Sequence, residues 1–88
     1  MGAFLGGSAY NMVRDIAEGY VITTELTFKK FRTEDFNAFG FEADKLLREF
    51  RGTVVEAGDV EGTQKRHRRM QRLQQAMTIA NAARAKQR

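Results

Sequence analysis

The chain has 88 residues, with 15 Lys and Arg against 11 Asp and Glu, and it contains neither cysteine nor proline. That length admits one small domain whose core is thin, since a chain of this size buries only about 60–65% of the surface its unfolded form exposes; the missing cysteines exclude disulfides and thiolate metal sites and fit a reducing, cytoplasmic setting. The net charge of +4 is unevenly placed: residues 1–60 carry seven Lys and Arg against ten acids, and residues 61–88 carry eight against Glu61 alone.

The chain opens on MGAFLGGSAYNMV, thirteen residues without a charge. A bilayer span needs about twenty apolar residues, and a signal peptide needs a basic start, so no transmembrane or secretory segment is expected here. Gly6 stands where a myristoylation motif beginning at Gly2 requires Ser or Thr. Residues 1–7 therefore read as a glycine-rich arm suited to docking on a neighbour. Ser8 is a capping residue for a short helix through about Glu18, with Met12, Val13, Ile16 and Ala17 on its apolar face and Gly19 as its stop.

Residues 20–28, YVITTELTF, alternate with a period of two. Tyr20, Ile22, Thr24, Leu26 and Phe28 fall on one side, and Val21, Thr23, Glu25, Thr27 and Lys29 on the other. Rich in β-branched residues, the stretch predicts a strand; the rival reading continues the first helix to Arg32. Thr33 then opens the central amphipathic helix as its N-cap, with Glu34 and Asp35 where the helix dipole favours acids. Phe36, Phe39, Ala43, Leu46, Leu47 and Phe50 recur at helical spacing, and Gly52 is the expected stop. Phe41 lies off that stripe and reads as a contact residue. Gly40, inside the helix, costs up to about 1 kcal/mol relative to Ala.

Residues 53–57 predict a second short strand, residues 58–62 a linker, and Thr63 the cap of a last helix over 63–88. The apolar stripe of that helix is Met70, Leu73, Ala76, Met77, Ala80 and Ala83. It is narrow and built of small or flexible residues, which suits a helix–helix seam, and Met70, Leu73, Met77 and Ala80 are the expected interface residues. The expected class is α+β, predominantly α-helical: a globular domain over residues 8–57, one or two short strands, and a long basic helix projecting from it. A thin core and an unpaired strand also point to a homo-oligomer or a subunit of a larger assembly.

The inventory argues against an enzyme. There is one serine, Ser8, and one histidine, His67. A catalytic triad would have to join the glycine-rich arm to the basic helix, and a zinc site would lack ligands, so neither catalysis, metal nor cofactor is expected. Glu34 with Asp35 and Glu42 with Asp44 are one and two residues apart, and helical residues at those spacings do not face each other.

The feature that calls for a reason is KRHRRMQR, residues 65–72, in which five of eight residues are Lys or Arg and a sixth is His67. Lys65, Arg69 and Arg72 share one helical face, while Arg66 and His67 turn away from it. Like charges at i,i+4 repel, and the N-terminal end of a helix disfavours cations, so the stretch is either a solvated face or is compensated by an anionic counterpart. Two functional readings follow. In the first, Lys65, Arg66, Arg68, Arg69 and Arg72 grip the backbone of DNA or RNA, and five phosphate contacts would give a log–log salt slope of about −4.5 on duplex DNA. In the second, the same residues dock on an acidic protein surface within an assembly, for example residues 34–44 of a neighbouring copy.

Overall fold

The computed structural model describes residue 4, residues 7–53 and residues 57–86. The first helix, α1 (Ala9–Glu18), starts where Ser8 Oγ accepts the Asn11 N–H at 3.2 Å. It stops at Gly19, whose φ of 88° is open to glycine at little cost. There the Tyr20 N–H reaches back to the Asp15 carbonyl and the Gly19 N–H to Ile16, the paired bonds that close a helix through a left-handed residue. This stop also rules out the rival reading in which the first helix continues to Arg32.

No strand follows. Residues 22–24 have no regular structure, and Glu25–Phe28 form a single 3-10 turn. Thr24 initiates that turn: its N–H donates to Thr27 Oγ1, and its carbonyl accepts the Thr27 N–H, both at 3.0 Å. The period-two pattern is misleading for a physical reason. Tyr20, Ile22 and Leu26, which a strand would have turned to one buried side, are exposed. The residues that reach the core are Phe28 and Phe31, three apart, the spacing that a 3-10 turn places on one side. A lone strand would have left its backbone edge unpaired, whereas the turn satisfies part of it locally. Of the second expected strand, residues 54–56 lie outside the described residues, and Thr53 closes the central helix. Among the described residues the protein is all-α, not α+β.

The central helix, α2 (Thr33–Gly52), begins at Thr33 itself, so its cap lies one residue before the expected one. Arg32 holds the N-cap position, and the Asp35 carboxylate reaches back to accept the Arg32 N–H at 2.9 Å. The last helix, α3 (Val60–Lys86), starts three residues before Thr63. Asp59 outcompetes Thr63 as the cap because its carboxylate accepts the Gly62 N–H at 2.9 Å, while the Thr63 hydroxyl donates to the Asp59 carbonyl from inside the first turn.

The three helices pack pairwise around one core. Because α2 and α3 are joined by only a short connection and pack on each other, they run antiparallel. Met12, Val13, Ile16 and Ala17 of α1 meet Phe36, Phe39, Ala43, Leu46 and Leu47 of α2 and Leu73, Ala76, Ala80 and Ala83 of α3. The second half of α3 therefore lies in the common core rather than projecting. Phe28 and Phe31 cap one end of the bundle, where Phe28 sits edge-on to Phe31 at 5.1 Å and to Phe39 at 5.2 Å. None of the helices in the described residues is long and apolar enough to cross a membrane.

Gly40 has no packing role in this core, since a Cβ built there meets nothing within 4 Å. Gly40→Ala is accordingly expected to stabilise the fold by up to ~1 kcal/mol through helix propensity and a less flexible unfolded chain. Thermal melting checks this; a lower melting temperature would contradict it.

Candidate functional site

The basic end of the bundle lies opposite the aromatic one. There the first turns of α3 lie beside the C-terminal end of α2, and the middle of α3, at Arg69 and Arg72, lies beside the C-terminal end of α1. A helix C-terminus carries carbonyls with no intrahelical partner and the negative end of the macrodipole. Two arginines of the KRHRRMQR stretch are aimed at such ends. Arg72 donates from Nη1 to the Ala17 carbonyl at 3.0 Å, and Arg66 donates from Nη1 to the Thr53 carbonyl at 2.9 Å. The bonds that close α1 at Gly19 use the Asp15 and Ile16 carbonyls, so Arg72 serves the next one along.

Arg72 adds a second, softer preference for glycine at position 19, since its guanidinium would have to give way to a side chain there. Besides its positive φ, a Cβ at Gly19 would lie 3.1 Å from the Arg72 Cζ. Arg69 completes the brace on α1. Its Nε stands 3.0 Å from Glu18 Oε2, and its Nη2 donates to Glu18 Oε1 at 3.3 Å. Glu18, the last residue of α1, would otherwise place a negative charge at the negative end of that helix. Lys65 pairs with Glu61 one turn earlier at 3.2 Å, an exposed i,i+4 contact of small energetic weight.

The expectation that the cluster sits against an unfavourable helix N-terminus is therefore revised. With the start of α3 at Val60, Asp59 and Glu61 occupy the dipole's positive end and Lys65 lies beyond the first turn, where the dipole has faded. Much of the counter-charge is supplied by the chain itself, through two helix ends and Glu18.

What is left faces outward. Arg68 has no hydrogen bond or ion pair among the described residues, and neither does Arg51 near the end of α2. Both line an open cleft of about 690 Å³ between α2 and α3, together with Arg66, His67, Thr63, Gln64, Gln71 and Met70. Among the described residues, no carboxylate lines it. On the other side of Arg68 a second, smaller hollow is lined by Lys65, Arg69, Arg72 and Glu18. Arg68 borders both hollows, so positive charge runs across the helix. The cleft presents hydrogen-bond donors in excess, the chemistry that suits phosphate oxygens.

Of the residues expected to bind an anion, the structure brings Arg66 and Arg68 into the cleft, turns Arg69 and Arg72 toward α1, and leaves Lys65 on the surface beside Glu61. Leu73 and Ala80 of the expected helix–helix seam are buried within the chain's own core, with Met70 and Met77 partly buried against it. Arg51 was missed as a cleft residue. In the sequence it is one basic residue at the end of α2, and nothing in the sequence shows that α3 lies alongside. No protein-family model, curated protein or solved structure matches the chain.

Proposed function

We propose that the protein is a non-enzymatic module that holds the sugar–phosphate backbone of nucleic acid in the cleft lined by Arg51, Arg66, His67 and Arg68. The observation that supports this reading is the composition of the cleft: three arginines, two glutamines and a threonine, with no carboxylate among its described lining residues. Arg51 and Arg68, without partners among the described residues, are available to phosphate at no cost to the fold. The glutamines can donate to phosphate or to base edges.

Titration of labelled DNA and RNA across a range of salt concentrations tests it. Binding should fall steeply with salt, and Arg51→Gln with Arg68→Gln together should reduce the log–log slope by about 1.4 to 1.8, the loss of two phosphate contacts. Failure of the wild-type protein to bind either polymer at low salt would end this reading.

A second reading is kept because of a specific observation. Tyr20, Ile22 and Leu26 are 80%, 87% and 75% exposed on one short segment, an arrangement that favours an assembly subunit. In that case Ile22→Ser with Leu26→Ser would alter the sedimentation of the protein, while the cleft double variant would leave it unchanged.

A further inference from the structure

The chain has seven phenylalanines, and six of them serve the core. Phe28, Phe31, Phe36 and Phe39 are buried, and Phe4 and Phe50 pack against them. Phe41 alone is turned away, 62% exposed on the solvent side of α2. Its neighbours on that side are set by helical geometry. Lys45 and Arg48 stand at i+4 and i+7 from Phe41, so the three share a face, and Arg51 follows one turn beyond Arg48. Lys45, Arg48 and Arg51 are exposed, as is Asp44, the acid on the same face. Arg51 also lines the cleft. A continuous path therefore runs from the cleft along α2 to Phe41, covering about 15 Å at 1.5 Å per residue. It carries three cations, with Asp44 on the same face and Glu49, which pairs with Arg14, one turn from Lys45, and it ends on an exposed ring.

We propose that the bound polymer is single-stranded nucleic acid and that Phe41 is a stacking platform for one of its bases. This rests on the nucleic-acid reading of the cleft and names the form of the ligand. A duplex hides the faces of its bases, so an exposed aromatic ring beside a backbone track contributes nothing to duplex binding by stacking. A single strand presents those faces, and interleaved aromatic and basic side chains hold it with little regard to sequence. The arginines of the cleft and Lys45 and Arg48 follow the phosphates, while Phe41 takes a base.

The test uses the full chain and oligonucleotides of roughly 12 nucleotides, within the usual range of single-strand site sizes: oligo-dT, oligo-U, and a duplex of equal length. Dissociation constants are measured at low salt for the wild type, Phe41→Ala and Phe41→Trp. Phe41→Ala should weaken single-strand binding about 5- to 150-fold and leave duplex binding within about twofold. Phe41→Trp should keep the affinity, and its indole, the only one in a chain without tryptophan, should be quenched as the strand binds. Because Phe41 is outside the core, melting temperatures should be unchanged, which separates stacking from misfolding. Equal single-strand affinity in Phe41→Ala, or tighter binding of duplex by the wild type, would overturn the stacking proposal and leave the cleft reading standing. No binding to any of the polymers would overturn both.

Discussion

Phe28→Ala is expected to destabilise the protein by about 3–5 kcal/mol, the cost of removing a buried phenylalanine and leaving a cavity. Phe28 is fully buried where the 3-10 turn meets α2, and it holds Phe31 and Phe39 in edge-on contacts, each worth about 0.5–1.5 kcal/mol beyond the buried area. A protein of this length has roughly 4–13 kcal/mol to lose at typical stabilities per residue. The variant should therefore be marginal or unfolded at room temperature. Urea unfolding followed by circular dichroism measures this; a loss below about 1 kcal/mol would show that the aromatic end is not the anchor of the segment over residues 20–31.

The second large effect concerns the brace on α1. Arg69→Gln with Arg72→Gln should lower stability by about 2 kcal/mol. Most of this comes from the charge-assisted bond between Arg72 and the Ala17 carbonyl at the negative end of α1, with a smaller part from the exposed Arg69–Glu18 pair. For a domain of this size the melting temperature should drop by roughly 8–16 °C. The sign makes the experiment decisive. If the basic stretch were only a solvated face, removing two of its charges would relieve the i,i+4 repulsions of Lys65 with Arg69 and of Arg68 with Arg72, and the variant would melt at the same temperature or higher.

These two sites also mark how much could be read without coordinates. The helices are legible because burial imposes a period: Met12, Val13, Ile16 and Ala17, and then Phe36, Phe39, Ala43, Leu46 and Leu47, repeat at helical spacing and are all buried. The segment over residues 20–28 is not legible. Tyr20, Ile22 and Leu26, the apolar members of one side of its alternation before Phe28, stay outside the core, while the decisive pair, Phe28 and Phe31, straddles the end of the pattern. The start of α3 was misplaced because Asp59 and Thr63 are both good capping residues, four apart, and one turn of helix depends on which of them wins. The basic stretch was visible as a concentration of charge. Its division into arginines that brace α1 and α2 and arginines that face a cleft was not, because that depends on which helix ends come to lie beside α3. Arg51 and Lys45 are unremarked in the sequence for the same reason, and Phe41 reads there as a contact residue with no stated partner: the cleft exists only once α2 and α3 are side by side.

That division of labour is the central claim, and one salt titration tests it most directly. A labelled single-stranded oligonucleotide is titrated with three proteins at a temperature where all are folded: the wild type, the cleft variant with Arg51→Gln and Arg68→Gln, and the brace variant with Arg69→Gln and Arg72→Gln. The account predicts that the cleft variant loses about 1.4 from the log–log slope, two single-strand phosphate contacts, while the brace variant keeps nearly the full slope despite carrying the same net charge. A brace variant that loses as much slope as the cleft variant, or more, would show that the arginines turned toward α1 are the ones that meet the ligand, and would contradict the account.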